Sequence, residues 1–131
     1  MYHFETTMKS NFDDAIDKVT AALKDEGFGV LTDIDVKATF KAKLDVDRLP
    51  YRILGACNPA FANKAISAEP DIGLLLPCNV VVREEDNGDI TVGFMDPMAG
   101  LSLVGRDDIG EIATEVKARL ERVSKAISQT E

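Results

Sequence analysis

The sequence predicts one domain that mixes helices and strands, in the order β-α-β-α-β-α-β-β-α. Two long segments carry apolar residues at helical spacing, and several short segments are apolar or alternate polar with apolar residues, as strands do. Between two of these strands stands Asn87–Gly88, a dipeptide typical of a tight hairpin turn. A chain of 131 residues suits one core, and no linker divides it, so residues 1–131 are expected to form a single domain.

The overall charge and hydropathy argue against several kinds of partner. Asp and Glu number 23 against 15 Lys and Arg, which gives a net charge of −8. Such a surface repels a phosphate backbone, so we expect no nucleic-acid partner. No segment approaches the roughly 18 apolar residues that a membrane-spanning helix needs, and the N-terminus lacks the pattern of a secretion signal. The sequence therefore predicts an acidic cytoplasmic protein with no membrane contact.

The first three elements follow from alternation and helix ends. Tyr2–Thr7 alternates polar and apolar side chains, which predicts a half-buried strand. Ser10 or Asn11 caps the next helix, and Gly27 ends it. The apolar stripe of this helix consists of Phe12, Ala15, Ile16, Val19, Ala22 and Leu23. Phe28–Ile34 predicts a second strand. One face of that strand would carry Phe28, Val30, Thr32 and Ile34.

Asp33 and Asp35 form a D-x-D pair after this strand. Two carboxylates this close could hold a hard cation. Alternatively, they are a turn residue and the N-cap of a short helix. The cap interpretation is favoured, because apolar residues follow at helical spacing, namely Val36, Phe40 and Leu44.

The central stretch begins with Tyr51–Ala56, a short and mostly apolar run that predicts a covered strand. Asn58 is a favourable N-cap, and Pro59 suits the first position of a helix, where no N–H donor is needed. The helix ends before Pro70, because the residue before a proline avoids helical dihedral angles. Ile72–Leu76 is predicted to return as an extended, buried segment.

A hairpin follows the central stretch. Asn79–Asp86 is rich in valine, and Asp89–Asp96 returns beside it. With Asn87–Gly88 as a two-residue type I′ turn, counting back along both strands places Asn79 opposite Asp96. This register would put an amide next to a carboxylate beside the second cysteine; alternatively, Asp96 only caps the turn that follows it.

The chain is predicted to end in a long helix capped by Asp107 or Asp108. Its apolar stripe consists of Ile109, Ile112, Val116, Leu120, Val123 and Ile127. The segment just before it carries three apolar residues that are candidates for a partner surface: Met98, Leu101 and Leu103.

The two cysteines lie at the corners of the central stretch. Cys57 stands where a strand leads into a helix N-terminus, whose field favours anions and can lower the pKa of a thiol. Cys78 opens the next strand and would lie beside Cys57 if the two strands are neighbours. Cysteines also fill cores without any chemical role, and this alternative stays open. The candidate ligand-binding residues are Cys57, Asn58, Pro59, Cys78, Asn79 and Asp96.

Several segments resemble the bacterial and archaeal family known as domain of unknown function 302. They read GFGVLTDIDV, ILGACNP, LLPCNVVV and a late DP pair, and the resemblance runs from about Phe12 to the last helix. It implies an α+β fold with a curved antiparallel sheet of about five strands backed by helices, similar to the TATA-binding-protein-like class. It also implies a homodimer, and it supplies no activity. Asp45 departs from the family pattern, in which a glycine is expected after the short helix.

Three hypotheses of function remain. The first is a homodimeric protein that binds a small anionic or polar ligand at the Cys57 and Cys78 corners. The second is a thiol enzyme of redox or sulfur-transfer chemistry, in which Cys57 is the nucleophile and Cys78 the resolving thiol. The third is a structural or partner-binding module. The sequence has no phosphate-binding loop and no metal-ligand spacing, and its one histidine, His3, is expected to be solvated, so we expect no cofactor and no metal.

Overall fold

The structure, a computed structural model, describes residues 1–128. Five antiparallel strands form one sheet in the order β1-β5-β4-β3-β2. The strands are β1 (His3–Met8), β2 (Gly29–Asp35), β3 (Tyr51–Cys57), β4 (Cys78–Glu84) and β5 (Ile90–Met95). Five α-helices accompany them: α1 (Phe12–Asp25), α2 (Val36–Leu44), α3 (Pro59–Ala68), α4 (Pro97–Leu101) and α5 (Asp107–Ser128). The predicted α+β class and element order are confirmed, with α4 as an additional short helix.

The core lies between one face of the sheet and the two long helices, α1 and α5. The central strands contribute buried side chains from alternate positions, among them Val80, Val82, Val92 and Phe94. The helices contribute their predicted stripes, including Val19, Leu23, Leu120 and Val123. Each such side chain stabilises the fold by about 1.5–3 kcal/mol relative to an exposed position.

Helix caps fix where the elements begin, and most of them are the predicted ones. The Asn11 side chain accepts a hydrogen bond of 2.9 Å from the N–H of Asp14 and starts α1. Asp35 accepts from the N–H of Ala38 at 2.9 Å and starts α2, while Asp33 is paired with Arg52. Both carboxylates of the D-x-D pair therefore have protein partners.

The predicted hairpin register is wrong by one residue. The loop has three residues, Asp86–Gly88, because Gly88 takes a positive φ of 89° and Asn87 does not. This geometry is a type I turn followed by a left-handed glycine, whereas a type I′ turn requires two positive φ angles. Val80 consequently pairs with Phe94 and Val82 with Val92, and these pairs face the core. A slip of one residue moves every side chain to the opposite face, so the predicted pairing of Asn79 with Asp96 is lost.

The segment predicted as an extended return is instead a 3₁₀ helix, Pro70–Leu75. Bonds between residues three apart hold it, such as that from the N–H of Ile72 to the carbonyl of Glu69 at 3.0 Å. Ile72 is buried, whereas Leu74 is fully turned towards solvent. The prediction of an extended run failed because the proline that ends α3 also starts this second, tighter helix.

Strand β2 does not keep the predicted alternation. Val30 pairs with Ala56 and Thr32 pairs with Gly55, so Leu31 is an extra residue without a partner on β3. This is a β-bulge, which bends the strand and turns its side chains. The expected face of four aligned residues is therefore broken at Leu31.

None of the helices within residues 1–128 combines the length and the apolar character needed to cross a membrane. Of the three residues predicted as a partner surface, Leu101 is buried in the core, while Met98 and Leu103 remain exposed.

Candidate functional site

The two cysteine corners line one pocket because β3 and β4 are neighbours in the sheet. Ala56 on β3 pairs with Cys78 on β4, and α3 starts directly after β3. This arrangement brings Cys57, Asn58 and Cys78 to the wall of one pocket. Antiparallel pairing thus joins two segments that lie about twenty residues apart in the chain.

The pocket has a volume of about 250 Å³ and an almost wholly apolar wall. The sheet side and the loop before β4 contribute Phe28, Leu31, Ala56, Cys57, Leu76, Pro77 and Cys78. The helices and the cap of α3 contribute Asn58, Phe61, Ala62, Ala65, Ile66, Leu101, Ile112 and Val116. Among these fifteen residues only Leu31 and Ile66 are exposed, at 66% and 46%, so they flank the opening to solvent.

Both cysteines are free thiols, and burial shapes their acidity. Cys57 is half-buried, and burial raises the pKa of its thiol. Cys78 is buried, and burial, with a smaller contribution from the nearby Cys57, raises its pKa to about 11. These shifts are opposite to the lowered pKa expected at a helix N-terminus, and their main cause is desolvation of the thiolate.

Asn58 is the N-cap of α3. Its Oδ1 accepts a hydrogen bond of 3.3 Å from the N–H of Phe61, as predicted for an N-cap. Pro59 follows at the first helical position and is exposed, outside the pocket wall. The amide of Asn58 is the one polar group, apart from the two thiols, that the side chains bring to the wall of this pocket.

The structure does not bring Asn79 or Asp96 to the pocket. Asn79 lies on the opposite face of the sheet, in a groove that also contains Tyr51 and Arg83. Asp96 caps α4 through the N–H of Met98 at 2.9 Å. The shifted hairpin register and the alternation of β4 explain why these two residues separate from Cys78.

Asp96 has a structural partner of its own. Its carboxylate accepts a hydrogen bond of 2.9 Å from Nζ of Lys117 on α5, and its side chain is only 15% exposed. Burial raises its pKa, but the bonds from Lys117 and from the N–H of Met98 lower it more, so the net shift is downward. This pair ties α4 to α5.

The groove on the opposite face holds the one histidine. His3 is expected from the sequence to be solvated, but its side chain is 31% exposed and its ring packs against Tyr2 at 4.7 Å between centroids. Its Nδ1 is buried without a hydrogen-bond partner, and its Nε2 lies 3.7 Å from Glu5. No group of three or more potential metal-binding side chains occurs within the described residues 1–128.

Sequence reasoning missed most of the apolar wall. The pairs Phe61–Ala65 and Ala62–Ile66 share one face of α3 at i,i+4 spacing, and this pattern could have indicated an apolar surface beside the cysteines. Leu31 could not have been found, because its position depends on the bulge in β2.

Comparisons with known proteins agree with this architecture. The model of the family described as "Domain of unknown function DUF302" matches residues 4–127. The crystal structure of an uncharacterized conserved DUF302 protein from Bacillus stearothermophilus is similar, with a TM-score of 0.89 and 28% sequence identity, over 97% of this chain and 98% of that one. An uncharacterized protein of Aquifex aeolicus (strain VF5) is 28% identical over 53 residues, which is 40% of this chain. The match spans 37% of the length of that curated relative.

Proposed function

We propose that this member of the DUF302 family is a small-molecule binding protein. Its ligand site would be the pocket at Cys57 and Cys78. The observation that carries this proposal is the pocket itself, which reaches from the solvent at Leu31 and Ile66 to the buried thiol of Cys78. Small-molecule sites are typically concave, mostly apolar and few per protein.

The packing of the surrounding residues supports a binding role. Protein interiors are close-packed, and spaces larger than a water molecule are few. Here a space of about 250 Å³ lies beside two well-packed clusters, one under the sheet and one around Ile72 and Ile109. A sequence selected for packing alone would fill such a space, for example by a larger residue at Ala62 or Ala65.

The position of the site matches the sequence-based hypothesis, but the polarity of the wall does not favour the ligand expected there. The sequence predicts an anionic or polar ligand because the N-terminus of α3 favours anions and because Asn79 and Asp96 are expected to face the cysteines. Asn79 and Asp96 do not line the pocket, and the Oδ1 of Asn58 already accepts the capping hydrogen bond of α3. The wall therefore supports binding at this site but offers an anion no charged side chain, only the neutral Nδ2 donors of Asn58.

The thiol-enzyme hypothesis has weaker support. A nucleophilic cysteine needs a lowered pKa, and burial raises the pKa of both thiols. A purely structural module is the remaining alternative, and it predicts that no small molecule enters the pocket.

A homodimer and a cytoplasmic location are further parts of the proposal. Exposed apolar side chains lie close together in sequence at the end of β2 and after α2, namely Ile34, Val46 and Leu49, and such patches often mark an interface. Free thiols suit a reducing compartment. Sedimentation equilibrium measures the oligomeric state, and a monomer at high concentration would remove the dimer from the proposal.

The binding proposal is tested by a fragment screen read by ¹H–¹⁵N NMR, with neutral, anionic and cationic compounds. We expect at least one compound to shift the amides of Cys57, Ala65 and Ile112. Ala62→Leu, which fills the pocket, should abolish these shifts, whereas Ala60→Leu should preserve them, because Ala60 is exposed on the same helix and does not line the pocket. A screen in which no compound of any class perturbs these amides would overturn the proposal.

A further inference from the structure

We infer that the pocket selects an uncharged, compact apolar ligand and that Leu31 is the side chain that controls its entry. This inference rests on the proposed function, since it names the ligand class and the gate of the same site.

The chemistry of the wall determines the charge of the ligand. Within the described part of the chain, none of the fifteen lining residues is Asp, Glu, Lys, Arg or His. A charged group inside would lose its hydration without gaining a partner, which is strongly unfavourable in an apolar environment. Asn58 offers little compensation, because its Oδ1 is bonded to the N–H of Phe61 and its Nδ2 is a neutral donor that does not replace the hydration of a full charge.

The size of the pocket limits the size of the ligand. An engineered apolar cavity of about 150 Å³ is known to bind benzene, so a pocket of about 250 Å³ should accept roughly 8 to 12 non-hydrogen atoms. Substituted benzenes and short branched or cyclic hydrocarbons fall within this range. A long acyl chain or a nucleotide does not.

The proposed role of Leu31 as a gate depends on the bulge in β2. Leu31 is the extra residue between the paired positions Val30 and Thr32, so its direction is not fixed by the alternation of the strand. Bulges commonly re-aim a side chain next to a functional site. Here the bulge places a leucine that is 66% exposed at the pocket wall, to which the exposed Ile66 of α3 also contributes.

The opposite strand makes room for this arrangement. Gly55 pairs with Thr32 directly beside the bulge, and a Cβ atom at Gly55 would overlap Oγ1 of Thr32. The glycine therefore allows β2 to approach β3 closely at the point where Leu31 leaves the ladder. Because Leu31 is 66% exposed and belongs to neither buried cluster, it can move without disturbing the core.

The test uses three probes of similar shape: toluene, benzoate and benzylammonium. NMR titration of the wild-type protein should show toluene bound at the amides of Cys57, Ala65 and Ile112. Benzoate and benzylammonium should bind there at least about 10-fold more weakly, a difference equivalent to about 1.4 kcal/mol. If either ion binds in the pocket as tightly as toluene, the ligand class is wrong while the binding proposal stands.

The gate is tested by exchange rates for toluene in Leu31→Ala and Leu31→Trp, with Leu103→Ala as the control. Leu103 is equally a solvent-exposed leucine but does not line the pocket. A gate changes association and dissociation together, so Leu31→Ala should raise both rates about fivefold and Leu31→Trp should lower both, with Kd changed less than threefold. Leu103→Ala should leave both rates unchanged.

Two further outcomes separate the inference from the proposed function. If toluene binds and neither Leu31 variant changes the rates, the gate is wrong and the ligand class stands. If toluene fails but another fragment occupies the pocket, the ligand class is wrong and the binding function survives. If no compound of either experiment enters the pocket, the inference and the proposed function are both refuted.

Discussion

Replacement of Gly55 by alanine tests the close approach of three segments beside the pocket. A Cβ atom at this position would overlap Oγ1 of Thr32 and would lie 2.8 Å from Cγ of Pro77. An ordinary contact of this kind is 3.4 Å or longer, so the proline ring must recede by about 0.6 Å and the threonine oxygen by more. Thr32 can respond by leaving its rotamer, at a cost of about 0.5–1.5 kcal/mol. The ring of Pro77 is tied to the backbone at its N and Cα atoms, so its Cγ can recede only through a change of ring pucker or a shift of the backbone.

Together these adjustments predict that Gly55→Ala lowers the free energy of unfolding by about 1–3 kcal/mol, as overpacking of a core does. With a urea dependence of about 2 kcal/mol per M, the midpoint of unfolding should fall by roughly 0.5–1.5 M. Circular dichroism in urea measures this change. The slope of the transition should stay constant, because the unfolded chain exposes the same surface.

Gly93→Ala is the matched control for this variant. Gly93 lies on β5 of the same sheet, and a Cβ atom there would meet nothing within 4 Å. Its effect should stay within about 0.5 kcal/mol. The double variant Gly55→Ala with Thr32→Ala should recover part of the loss and leave the part that comes from Pro77. A Gly55→Ala protein as stable as Gly93→Ala would refute the reasoning.

Three further predictions concern a helix end, the thiols and an ion pair. Asp45→Gly should raise the free energy of unfolding by about 0.5–1 kcal/mol in urea denaturation, because Asp45 ends α2 at a φ of 54°, where a side chain carries a steric penalty and glycine does not; the exposed Lys41 loses its pairing with Asp45 but keeps that with Asp47, and a loss of stability would contradict the prediction. Iodoacetamide at pH 8 should leave Cys78 unmodified in the native protein and should modify Cys57 more slowly than free cysteine, since burial raises the pKa of both thiols. Timed mass spectrometry measures both rates, and rapid alkylation of either thiol would restore the thiol-enzyme hypothesis. Asp96→Asn keeps a capping side chain but removes the negative charge that pairs with Lys117. In the folded protein the pKa of Asp96 lies below its ordinary value of 3.8. The charge therefore stabilises the fold above about pH 4, and this contribution is lost as the pH falls through the folded pKa. Wild type and variant should differ in stability at pH 7, and the difference should shrink as the pH is lowered below 4; a difference that does not change with pH would exclude this origin.

The family could be predicted from the resemblance of a few motifs, whereas most strands and the helix caps could be predicted because they depend on local chemistry. Asn11, Asp35 and Asn58 each bond to a backbone N–H three residues later, and the same short segment contains both the donor and the acceptor. The stripe of α5 was visible because its period is fixed by the helix.

The errors arose where one residue decides between two local geometries. Asn87–Gly88 fits a two-residue loop, yet Gly88 alone takes the positive φ and the loop gains a residue. The consequence is not local, because the register shifts every pair between β4 and β5 and removes Asp96 from its predicted place opposite Asn79, while the alternation of β4 itself turns Asn79 to the face opposite Cys78. For these reasons the two polar residues expected beside Cys78, Asn79 and Asp96, do not line the pocket.

The apolar half of the site was beyond prediction for a different reason. Residues of β2, β3, β4, α3, α4 and α5 form the wall of the pocket. No local sequence pattern predicts that these six elements leave a space between them. Only the position of Cys57 and Cys78 on adjacent strands could be anticipated, and that required the two strands to be neighbours.

Helix α2 has a practical consequence for work on this protein. None of its side chains is buried, and no residue of Val36–Leu44 lines the pocket. Local opening should begin here, and its amides should exchange with deuterium early. A fluorophore or an affinity tag spliced into this segment would therefore follow the molecule in solution while leaving the cysteine corner intact.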